Sequence, residues 1–207
     1  MGLGRLGGLA LFRLASICRL LAASFLVASS IASGASVRPL GLDDLVDTSA
    51  LALQGTCVGN RVEREEATGF VVTYTTFVVK DVLKGQAATT HVIKQVGGRL
   101  PSGEGGYRVD GVPTFAVGEE YVVFLAGVSS AGFSSPIGLA QGKFTVRKDV
   151  AGEKVANGRD FREMTAGMSG VALPETLAKS LAGTAPVTRL GLEEFKQLVR
   201  ARLGRAK

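Results

Sequence analysis

The chain has 207 residues, with 24 basic against 18 acidic side chains, one histidine, two cysteines and no tryptophan. The formal charge is +6, with no basic stripe or recognition motif beside it, so no nucleic-acid partner is expected. A single histidine excludes a histidine-built catalytic zinc centre. The length suffices for one domain with its own core.

Arg5, Arg13 and Arg19 are the only charges before Arg38, and "LLAASFLVASSIASGAS" follows the last of them. Ser33 and Ala35 then stand at −3 and −1 of a cut before Ser36. A basic stretch, a short apolar stretch and a small-residue site predict a secretory signal peptide over 1–35, and therefore a secreted or periplasmic protein. The alternative is an uncleaved N-terminal anchor. "GLGRLG" (2–7) fits a dinucleotide pattern but follows no strand, so it carries no phosphate-binding meaning. Cys18 is not read as a lipidation site, because Ile17 precedes it where a small residue is wanted. Removing the three arginines leaves 21 basic against 18 acidic residues, a net +3. Cys57 is then the one remaining cysteine, so no internal disulfide is expected.

"LGLDDLVDTSA" (40–50) predicts a short helical turn with its acids at the N-terminus. "LALQGTCVGNRVERE" (51–65) predicts a strand bent or bulged at Gly55 and Gly59. Its alternation puts Leu51, Leu53 and Cys57 on one face, so Cys57 reads as a small core hydrophobe. "FVVTYTTFVVKDVL" (70–83) is the strongest strand. Both of its faces are apolar, which predicts a central position. "TTHVIKQV" (89–96), "EEYVVFLAGV" (119–128) and "GKFTVRKDV" (142–150) complete five strands. Between them, "GGRLPSGEGGYRVDGVPTF" (97–115) is a glycine-rich excursion of a length that is commonly functional. After residue 150 the pattern loosens. "LGLEEFKQLVRARL" then predicts a helix covering an open end or edge of the sheet, a basic membrane-surface helix being the alternative. "LPETL" (173–177) lacks the glycine and the apolar span of a sorting signal.

These elements predict a mainly β protein: a small, five-stranded, OB-like barrel over 36–150, then an irregular extension over 151–207 ending in an amphipathic helix. The order "ALALQGTCVG", "YTTFVVKDVLKG", "VGG", "VPTFAVGEEYVVFL" and "GLAQGKFTVRKD" resembles a secreted bacterial OB-like domain, similar in layout to netrin/TIMP-like modules. In some bacterial proteins such a domain precedes a matrixin-type zinc protease. The resemblance covers roughly residues 42–150 and implies a TIMP-like barrel. It does not carry over the inhibitory mechanism, which needs an N-terminal cysteine and disulfides, nor the protease, since no H-E-x-x-H occurs.

Cys57 and His91 are the one pair able to act as nucleophile and base, in a small Cys-dependent hydrolase. Without evidence that they meet, no catalytic residue is assigned. Glu104, Asp110, Glu119 and Glu120 match no EF-hand spacing, so no metal or other cofactor is expected. The expectation is a non-enzymatic binding module for a protein or envelope component. Arg99, Glu104, Tyr107, Arg108 and Asp110 are its candidate contacts. It would meet a membrane only through an uncleaved signal or the C-terminal helix, as a structural envelope-associated protein would.

Overall fold

The computed structural model describes residues 38–101, 103, 105–168 and 170–205. The expected signal segment, its cleavage pair Ala35 and Ser36, and the candidate contact Glu104 lie outside the described residues.

Helix α1 (Leu42–Thr48) opens the fold, and the Asp44 carboxylate accepts the Gly41 N–H at its N-terminus (3.2 Å). Strands β1 (Leu51–Arg64), β2 (Val71–Lys84) and β3 (Thr90–Val96) follow as a meander. A two-residue pair, β4 (Gly98–Arg99) and β5 (Gly106–Tyr107), forms its own hairpin. Then come β6 (Glu120–Leu125), β7 (Lys143–Asp149) and β8 (Gly152–Ala156). Helices α2 (Phe161–Thr165) and α3 (Glu175–Ala182) lead to β9 (Leu190–Gly191), which runs directly into α4 (Leu192–Arg205).

Seven strands form one antiparallel sheet in the order β3-β2-β1-β6-β7-β8-β9. The protein is mainly β with a C-terminal helix, as expected, but the five-stranded barrel is corrected to an open sheet. A barrel of five strands would close β3 against the free edge of β7. That edge is already hydrogen-bonded to β8, so no partner remains for closure. The outer edge of β3 is covered instead by the return after β6, where the Ser134 N–H donates to the Lys94 carbonyl (3.0 Å). Residues 151–205, expected as an irregular extension ending in an amphipathic helix, supply two strands of this sheet and two further helices before that last one.

Each face of the sheet carries its own core. On one, Val122, Phe124, Phe144 and Val155 meet Leu42 and Leu45 of α1, Phe161 of α2 and Phe195 of α4. The Phe195 ring lies 4.7 Å from Phe144 and 6.1 Å from Phe124, centroid to centroid. On the other face, Leu53, Cys57, Phe77, Ile93, Tyr121 and Val123 enclose a second cluster, closed by Phe115. Strand alternation explains the split, because successive side chains of β6 point to opposite faces. Polar ties hold α1 and α4 in place. Lys84 Nζ donates to the Val46 and Asp47 carbonyls at the end of α1 (2.6 and 3.1 Å), while Lys196 and Arg200 of α4 both reach Asp81 at 2.8 Å.

The central position expected for β2 is also corrected. It lies next to the edge, with β3 alone outside it, and Val78 in its middle is 45 % exposed. The fully enclosed strand is β6, which is buried from Tyr121 to Leu125.

Candidate ligand-binding cleft

Register shifts in β1 beside Leu53, Gly55 and Gly59 let a 14-residue strand bend while it stays paired with β2. The β1–β2–β3 end curls, and the 97–115 segment folds back over it. A cleft of about 780 Å3 lies between them. Its sheet side is formed by Asn60 and Val62 of β1, Thr73 and Thr75 of β2, and Gln95 of β3. The opposite side is formed by the β4–β5 hairpin and the chain from Arg108 to Phe115. This volume falls in the range of small-molecule and peptide sites.

Glycine makes the covering possible. A Cβ on Gly98 (φ +144°) would lie 2.6 Å from both Thr73 Oγ1 and Val62 Cγ1, and one on Gly106 (φ +130°) 2.5 Å from the Gly98 carbonyl oxygen. Only a bare backbone passes this close to the sheet in these conformations. The side chains then fasten the cover down. Thr73 Oγ1 donates to the Gly97 carbonyl (2.6 Å), and Asn60 Nδ2 donates to the Phe115 carbonyl (2.8 Å). Thr75 Oγ1 donates to Asn60 Oδ1 (2.7 Å), so the Asn60 amide is held from both ends.

Phe115, which lines the cleft, meets the buried Phe77 and Tyr121 behind it edge to face, at 5.1 Å from each ring. The Tyr121 hydroxyl accepts the Ala116 N–H (2.9 Å). Burial pushes the Tyr121 phenol above its ordinary value and the Lys143 ammonium below its own. Lys143 lies 4.8 Å from the Tyr121 ring centroid and donates to the Thr114 carbonyl.

Of the candidate contacts, Arg99, Tyr107 and Arg108 line this cleft, all three exposed. Asp110 does not. It lines a neighbouring groove of about 810 Å3 with Lys143, Arg147 and Arg189, which Arg108 also borders. Glu119 pairs with Arg147, and Glu120 with Lys80, so these two acids belong to the surface of the sheet. Asn60, Thr73, Thr75 and Gln95 were not singled out from the sequence. The signal available there was a run of polar residues in phase with Phe77 on the strongest strand.

The Cys57–His91 pair is not brought together. Cys57 is paired with Phe77 and Phe77 with His91, so one whole strand separates the two, a span of about 10 Å. Burial pushes the Cys57 thiol up, away from the thiolate, and its Sγ faces the Gly59 carbonyl (3.9 Å). Burial also lowers the His91 pKa. Among the described residues, no helix is long and apolar enough to cross a membrane.

No family model, curated protein or solved structure matches this chain.

Proposed function

We propose that this chain is an exported, non-enzymatic binding module that holds a protein or envelope partner in the cleft beneath residues 97–115. The observation that carries the reading is the cleft itself. A curled sheet face and a close-fitting glycine hairpin enclose it, with a polar floor, apolar walls and two exposed arginines around an exposed tyrosine. Export rests on the signal-like segment 1–35, and the layout likeness to netrin/TIMP-like modules over 42–150 belongs to the same proposal. A Cys57-dependent hydrolase is the weaker reading, because a whole strand separates the thiol from His91, the histidine it would need as base. An envelope role through α4 is weaker too, since its apolar residues Leu192, Phe195, Leu198 and Val199 are buried against the sheet.

The test exchanges residues 100–105 for Asn-Gly. The exchange joins Arg99 to its partner Gly106 through a two-residue turn and leaves the hairpin register in place. The immobilised parent chain is expected to capture a component of the envelope or secretome of its own host, and the shortened chain to fold but capture nothing. Undiminished capture by the shortened chain would remove the cleft from the binding site.

A further inference from the structure

Gln95 lies in the floor of the cleft at 2 % exposure, and its Nε2 is buried without a hydrogen-bond partner. A buried donor left unpaired is a standing cost, which a ligand acceptor would relieve. Directly across the ladder from Gln95 is Thr73, on the same face and about 5 Å away between Cβ atoms. The one hydroxyl proton of Thr73 is committed to the Gly97 carbonyl, so toward a ligand its oxygen can only accept. The floor therefore carries one unpaired donor and one acceptor on facing side chains of neighbouring strands.

That pattern complements one residue of an extended chain, whose N–H and C=O point the same way, as they do in a ladder pair. A carboxylate, which has no donor, would leave Thr73 unanswered. The flanking walls are Val62 and Val96 on the sheet and Val109, Val112 and Pro113 on the cover, which suit the side chains of such a segment. Building on the binding reading above, we infer that the cleft recognises the backbone of an extended peptide. One of its residues gives its C=O to Gln95 and its N–H to Thr73, while Tyr107 and the arginines flank the entrance.

The test follows the Gln95 side-chain amide resonance of the intact 15N-labelled chain. Three probes are compared: a degenerate pool of end-blocked tetrapeptides, the same pool methylated at every backbone nitrogen, and a tetramer of N-acetylglucosamine. The first pool is expected to shift the resonance and the methylated pool to leave it unmoved. Gln95→Met, of similar shape but without a donor, should weaken peptide binding about tenfold without lowering the unfolding midpoint. A response to the sugar but not to the peptides would overturn the inference, as would equal binding of the methylated pool or silence with all three probes. If capture by the parent chain still depends on residues 100–105 while Gln95 ignores peptides, only this inference falls. Loss of that dependence removes the binding reading itself.

Discussion

Cys57 shows how a side chain with reactive chemistry is made inert by its position. It is fully buried beside Phe77, and burial keeps it a thiol at neutral pH. Iodoacetamide should therefore leave Cys57 unmodified in the native chain and label it in denaturant, as read by peptide mapping. Rapid native labelling would reopen the nucleophile reading. His91, in the same row, has a buried Nε2 with no partner, and desolvation lowers its pKa. The unfolded chain takes up this proton more readily than the native one. The contribution is therefore complete above the unfolded value, near pH ~6.5, and declines as the pH falls through it. Urea midpoints should drop between roughly pH 7.5 and 5, and His91→Leu should flatten that slope. The lowered carboxyls act in a separate, more acidic window. Burial raises the Asp81 pKa, but its bonds to Lys196 and Arg200 hold it lower overall, so its stability is lost only as the pH falls below the ordinary carboxylate range.

Among the elements, α4 does the most for the helix-covered core. Phe195 touches the rings of three other phenylalanines, drawn from two strands and α2. Phe195→Ala should lower stability by about 3–5 kcal/mol through lost burial and the cavity left behind. Arg200→Ala, which removes a half-exposed ion pair, should cost about 1 kcal/mol or less. Denaturant unfolding of the two variants separates a structural helix from a membrane-surface one, which would tolerate both changes in solution. The helical spacing of Leu192, Phe195, Leu198 and Val199 was readable in the sequence. What it covers was not, because an amphipathic face specifies burial without naming the surface that buries it.

At the scale of the molecule, the two cores share strands and should not melt independently. β6 sends Val122 and Phe124 into one and Tyr121, Val123 and Leu125 into the other, and β1 divides Ala52 from Leu51 and Leu53 in the same way. The near-ultraviolet signal of the Phe77–Phe115–Tyr121 cluster and the far-ultraviolet signal of the helices should follow one denaturation curve. Two separated transitions would mean that the sheet splits between its faces.

Alternation and glycine placement determined much of this protein locally. The strong strand of β2, the shifts of β1 at Gly55 and Gly59, the burial of Cys57 and the glycine-rich excursion after β3 were all legible, because period-two patterning and steric freedom act within a few residues. Gln95 and Thr73 were not, since two polar residues 22 positions apart become a site only when a ladder pairs them. Nor were β8 and β9, whose sequences are too short or too polar to announce a strand. Whether the strands close or stay open was decided by the last free edge of β7. Pairing with β8, only a few residues further along the chain, took that edge before a distant strand could.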